Sequence, residues 1–109
     1  MINGKQVIYI AGKITGTTDY MQRFGAAERY LLLKGAEVMN PTAVNAHLPE
    51  GSPYRLYMDV GLSMLNYADA IYMLNGWEKS RGAREEFAYA VQRGITVIFE
   101  GDDETIQRG

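Results

Sequence analysis

The chain has 109 residues, 47% of them hydrophobic and 22% charged, which suffices for one buried core, is too little for two, and excludes disordered and fibrous classes. A formal net charge of -2 lacks the basic face that nucleic-acid binding by counterion release requires, so small molecules or proteins are the expected partners. With no cysteine and one histidine, His47, a disulfide scaffold, a thiol nucleophile and a histidine-rich metal site are excluded.

Residues 7–11, "VIYIA", form a short β-rich run that ends in Gly12, as a buried strand does before a sharp turn. The run is too short for a signal peptide or a membrane span, and no later run reaches about 18 apolar residues, which points to a cytosolic protein without a membrane partner. "TTDYMQRFGAAERYLLLKG" spaces Met21, Phe24, Ala27 and Leu31 at helical intervals, with Thr17 or Thr18 as cap and Gly35 as stop. "AEVMNP" gives a short second strand closed by Asn40 and Pro41, after which residues 42–51 read as a polar loop without periodicity. Ser52 and Pro53 make a helix start, cap then first-turn proline, and Tyr54, Tyr57, Met58, Gly61, Met64, Leu65 and Ala68 form one stripe. "AIYML", residues 70–74, is a third strand. Helical spacing returns over 82–93, and "ITVIF", residues 95–99, is a fourth strand before a polar tail. The eight tyrosines and six methionines scatter through these patterns and read mostly as core and rim.

Strands that are near-continuous apolar runs alternating with helices predict one α/β domain, doubly wound and flavodoxin- or Rossmann-like, with a parallel sheet of four to five strands. Ligands of such sheets bind outside the carboxyl ends of the strands. Function is therefore expected in the loops at 12–18, 40–51 and 75–81.

The third of these loops runs into "GWEKSRGAREEFAYA", which carries an adjacent pair of glutamates. With Ala83 as zero and about 100° per residue, Phe87, Ala90 and Val91 cluster with Ala83, Glu85 points almost directly away, and Glu86 sits on the edge of the stripe. Glu86 falls in or near the first turn, where the helix dipole and free N–H groups favour a negative charge, and faces the boundary between core and loop. That is a seat for a nucleophilic or basic carboxylate. Alternatively, both glutamates only complement the helix N-terminus.

"YIAGKITG", "NPT", "ADAIYML" and above all "GWEKSRGAREEFAYA" resemble the nucleoside 2-deoxyribosyltransferase family, most closely its small phage and bacterial branch. The likeness runs from Val7 to Phe99, and its most specific part is the spacing of Ser80, Gly82 and Glu86. It implies that Glu86 attacks the anomeric carbon of a 2-deoxyribosyl group, expelling the base and leaving a glycosyl ester that water or a second base resolves. In the transferases proper an aspartate usually holds the place of Ser80; the related 2'-deoxynucleoside 5'-monophosphate N-hydrolases have a serine there that contacts the phosphate. A hydroxyl beside helix N-terminal N–H groups suits a dianion better than a carboxylate would, although Ser80 also reads as an ordinary helix cap.

The resemblance further sets Gly12 and Lys13 in a loop lying against the nucleotide, with Lys13 either neutralising a phosphate or simply solvated. Tyr9 reads as core from the strand pattern and falls among the substrate-binding positions. Asn40 and Pro41 resemble a site wall but also suit a turn closing the strand. Asp69 matches a family aspartate with a catalytic or sugar-binding role. Trp77 either stacks a base or covers the sheet end, Arg84 reaches a phosphate or solvent, and His47 reads as a surface residue.

One position departs from the pattern. Many relatives carry an aspartate eight residues before the Asp69 position, where this chain has Gly61. Asp59 is two residues away, about 200° around a helix, and should face the opposite side. The expected activity is cleavage of the base–sugar bond of a deoxynucleoside or its 5'-monophosphate, without a cofactor or metal, in a homo-oligomer. The alternatives are a non-catalytic protein that senses or sequesters a nucleotide, favoured by the missing aspartate, and a purely structural or interaction module.

Overall fold

The computed structural model describes residues 1–102; the end of the polar tail expected after the fourth strand, residues 103–109, lies outside them. β1 (Val7–Ala11) is buried along its whole length. Its pleat sends Ile8 and Ile10 to one layer and Val7, Tyr9 and Ala11 to the other, which is why the strand is apolar at every position. β2 (Glu37–Met39), β3 (Ala70–Met73) and β4 (Thr96–Phe99) complete a sheet of order β2-β1-β3-β4. All neighbouring pairs are parallel, with Tyr9 opposite Met39 on one side and Ile71 on the other.

α1 (Tyr20–Leu33) lays Phe24, Ala27 and Leu31 on the face carrying Ile8, Ile10, Tyr72, Leu74 and Ile98. On the other face, α3 (Tyr54–Leu65) and α4 (Arg81–Arg93) bring Leu65, Ala83 and Ala90 against Val7, Tyr9, Ile71 and Met73. The fold is thus a doubly wound, flavodoxin/Rossmann-like α/β domain with four strands. Each fully buried large aliphatic or phenyl side chain among these contributes about 1.5–3 kcal/mol. No helix of the described residues is long and apolar enough to cross a membrane.

Several local expectations change. Residues 42–51 are not all loop: α2 (Pro41–Asn45) forms because Asn40 caps it, its Oδ1 accepting from Thr42 N at 3.0 Å, with proline in the first turn. Neither Thr17 nor Thr18 caps α1; Asp19 holds the N-cap position, and the Thr17 hydroxyl donates instead to Ile14 O at 2.9 Å. Gly35, at φ 92, ends α1 as expected. α3 begins one residue later than the Ser52–Pro53 cap predicts, with Pro53 at the N-cap and Ser52 turned back to Pro49 O.

The buried arc of α4 is also rotated from expectation. Val91 is 56% exposed, whereas Ala83, Glu86 and Ala90 are buried. At about 100° per residue the arc runs from Glu86, near −60°, through Ala83 and Ala90 to Phe87, near +40°; Val91, near +80°, falls outside it. Glu86 is therefore inside the packed face and not at its edge.

Asp69 sits at the amino end of the sheet, directly before β3. Its Oδ2 accepts from Val7 N at 2.7 Å, and the N-terminal ammonium lies 3.3 Å away. Removing this acceptor would strand the N–H of a residue that is 1% exposed. Asp69→Ala is accordingly expected to cost about 1–3 kcal/mol, measured by denaturant unfolding.

Candidate active site

At the carboxyl ends of the strands, a cavity of about 490 Å³ opens between the layers, within the range of small-molecule sites. Tyr9, Ala11 and Gly12 form its floor, the start of α1 (Tyr20, Met21, Phe24) one wall and the start of α3 (Tyr54, Tyr57, Met58) another. Ser80, Gly82, Ala83 and Glu86 of α4 close it, with Pro41 and Thr42 of α2 beside them. The chain leaves β1 toward β2 on one side and reaches β3 on the other, so the cavity lies at the topological switch point of the sheet.

Glu86 is the only carboxylate on the cavity wall, and no lysine, arginine or histidine lines it among the described residues. Its side chain is 8% exposed. Burial pushes its carboxyl up from 4.5 to about 7, against the lowering effect of a hydrogen bond from Tyr9 and with a smaller upward push from Glu85. The Tyr9 hydroxyl donates to Glu86 Oε2 across a sequence separation of 77 residues. Burial, and then the neighbouring Glu86, hold the Tyr9 hydroxyl well above its ordinary value, so Tyr9 stays a neutral donor.

Glu86 lies in the second turn of α4, which has no acidic residue in its first turn. It therefore does not complement the helix N-terminus, and the alternative reading of the pair as end-charges is not met. That end is capped by Ser80, whose Oγ accepts from Ala83 N at 3.1 Å; the Arg81 and Gly82 N–H groups are those to which helix geometry gives no partner. Ser80 is thus both helix cap and cavity wall. Glu85 points to the rim. Its Oε1 lies 3.3 Å from Arg81 Nε and 3.4 Å from the Tyr54 hydroxyl, and the Arg81 guanidinium stands over the Tyr54 ring at 4.7 Å. These three side chains join the first turns of α3 and α4 across the mouth of the cavity.

The glycines of the site each answer a close approach. A Cβ at Gly12 would lie 2.9 Å from Leu74 Cδ1, and one at Gly82 would meet Met58 Sδ at 3.3 Å. Gly61, in α3, backs directly onto the Tyr9–Glu86 pair.

Of the residues singled out from the sequence, Glu86, Tyr9, Gly12, Ser80 and Gly82 come together on the cavity wall. Asp69 does not: it is at the opposite end of the sheet, holding the start of β1, and a catalytic role there is corrected to a structural one. Trp77 stacks on Phe87 at 4.7 Å and lies 6.2 Å from Phe99, packing beside the carboxyl end of β4 without lining the cavity. Asn40 uses its amide to cap α2 and to donate to Glu28 Oε1 at 2.9 Å, and it is Pro41 and Thr42 beside it that form the wall. Lys13 is half-buried between Gly12 and Ile14 without lining the cavity, and Arg84 donates to Glu78 O at 2.7 Å. Asp59 pairs with Arg55 at 3.0 Å on the far side of α3, as the helical geometry predicts, and His47 is exposed.

The sequence reading missed the aromatic walls. Phe24, Tyr54 and Tyr57 read as helix stripes and Tyr20 is not singled out by the pattern; only their position near the starts of helices at the carboxyl ends of the strands distinguishes them. A search of the curated proteins finds no match to this chain. The family described as a domain of unknown function, DUF4406, matches residues 6–99, nearly the whole described chain from β1 to β4, and the chain belongs to that family.

Proposed function

We propose that the protein is an N-glycosidase or deoxyribosyltransferase-like enzyme that cleaves the base–sugar bond of a deoxynucleoside or deoxynucleoside 5'-monophosphate, with Glu86 as nucleophile. The observation that carries this reading is a carboxylate, buried yet on the wall of a cavity at the switch point, with one oxygen held by Tyr9. Among the described residues no hydrogen bond engages Oε1, which is left to attack the anomeric carbon. As that C–O bond forms, the C–N bond breaks and its electron pair leaves with the base. Water or a second base then attacks the same carbon and returns the carboxylate. Tyr9, donating to Oε2, fixes the plane of the carboxylate and favours its ionised form, both of which assist a nucleophile.

The aromatic side chains of α1 and α3 suit a planar base, and the Ser80 hydroxyl with the Arg81 and Gly82 N–H groups suits the 5' end of the sugar or its phosphate. With no basic side chain on the wall, a phosphate there is met by neutral donors alone.

The second reading, a protein that binds a nucleotide without cleaving it, is favoured by the lack of a second carboxyl on the wall to protonate a leaving base. Incubation with each deoxynucleoside and each 5'-monophosphate, followed by chromatography, separates the two. Release of free base from at least one is expected. Tight binding with the ligand recovered intact would support the second reading, and neither binding nor release would sink both.

A further inference from the structure

We infer that Gly61 is a positioning residue of the candidate site: by lacking a side chain it reserves the space in which the Tyr9 hydroxyl sits against Glu86. The consequence for turnover rests on the proposed chemistry above; the placement of the pair does not.

Gly61 is buried within α3, where glycine is a poor helix former and alanine would serve the helix better. Its φ is not in the left-handed region, so the backbone does not require glycine. Space does. A Cβ built there would lie 2.8 Å from the Tyr9 hydroxyl oxygen and 3.1 Å from Glu86 Oε2, with Tyr9 Cζ next at 3.9 Å, an ordinary contact. The two tight contacts are thus made with the two oxygens of one hydrogen bond and not with general packing.

Neither oxygen can retreat easily. Tyr9 is fully buried on the central strand, its ring packed between the sheet and the helices, and Glu86 is held within the packed face of α4. The hydroxyl and a side chain at position 61 therefore compete for one place. The charged and titratable groups that bear on Glu86 are Tyr9 from β1, Glu85 from its own helix and Tyr54 from α3; of these, Tyr9 alone is governed by residue 61.

The test reads the Glu86 carboxyl by carbon-13 NMR titration of the full chain without substrate, in wild type, Gly61→Ala, Tyr9→Phe and the double variant. Displacing the hydroxyl removes a bond that favours the ionised form, so Gly61→Ala and Tyr9→Phe should each move the midpoint up by about one pH unit. The double variant should move it no further than Tyr9→Phe alone, since both changes remove the same contact. Thermal unfolding provides a second reading: Gly61→Ala should lower the melting temperature in the wild-type background and much less with Phe at position 9. A wild-type Glu86 midpoint in folded Gly61→Ala, additive shifts, or equal destabilisation in both backgrounds would each overturn the inference. In a base-release assay, Gly61→Ala should lower kcat about tenfold with KM little changed. A chain that releases no base yet shows the coupled titration would remove the proposed function and leave this inference standing.

Discussion

Replacing the buried carboxylate by its neutral isostere, Glu86→Gln, is expected to lower base release at least about a thousandfold, which corresponds to a barrier increase of roughly 4 kcal/mol or more. The amide keeps an oxygen to accept from Tyr9 and nearly the same volume, so the packed face of α4 is undisturbed. What disappears is the anionic oxygen able to form a bond to the anomeric carbon. Binding should survive, because the aromatic walls, Ser80 and the helix N–H groups are untouched. Calorimetric titration alongside the release assay checks both halves. A variant that turns over at the wild-type rate would rule out nucleophilic attack by Glu86.

The same substitution should reshape the dependence of stability on pH. Glu86 is raised from 4.5 to about 7 in the folded protein, so the folded state holds a proton that the unfolded chain has released. The sign follows: this group's contribution is fully present below about pH 4.5 and is lost as pH rises through about 7. The shift corresponds to something on the order of 3 kcal/mol across that window. Relative to wild type, Glu86→Gln should therefore gain stability between pH 5 and pH 8, by denaturant unfolding at each pH. Equal pH profiles for the two proteins would show that Glu86 titrates normally. Turnover runs the other way, since the nucleophile must be ionised: kcat should climb toward a plateau above about pH 7. On the proposed chemistry, activity would be greatest where this residue supports the fold least.

Much of this arrangement was legible before any coordinates. Near-continuous apolar runs such as "VIYIA", β-rich and closed by a glycine, read as strands covered on both faces, and strands alternating with helices direct attention to the carboxyl ends of the sheet. The family resemblance singled out Ser80, Gly82 and Glu86, which line one cavity, and helical geometry separated Glu85 from Glu86. What the sequence could not convey was long-range. A wheel zeroed on Ala83 does not say where the sheet lies, so Val91 was placed inside and Glu86 at the margin, when the packed arc is centred between them. Asp69 could not be known to hold Val7, 62 residues away, and Trp77 offered no hint that Phe87 and Phe99 would claim its ring. Gly61 looked like a missing acid. Only with Tyr9 and Glu86 in place does the position read as a hydroxyl supplied from the strand in a space that a side chain would fill.

Tyr9, the donor to Glu86, is anchored on β1, the strand with a hydrogen-bonded neighbour on each side and five buried residues. Segments of that kind exchange their amide hydrogens only when the whole domain opens, whereas helix first turns such as those of α1 and α3 sample open states at far lower free energy. The donor thus belongs to a slow-opening part of the molecule, and the wall residues at the starts of α1 and α3 to faster-opening ones. The walls of the cavity can therefore open while the Tyr9 hydroxyl beneath them keeps its place until the domain unfolds as a whole.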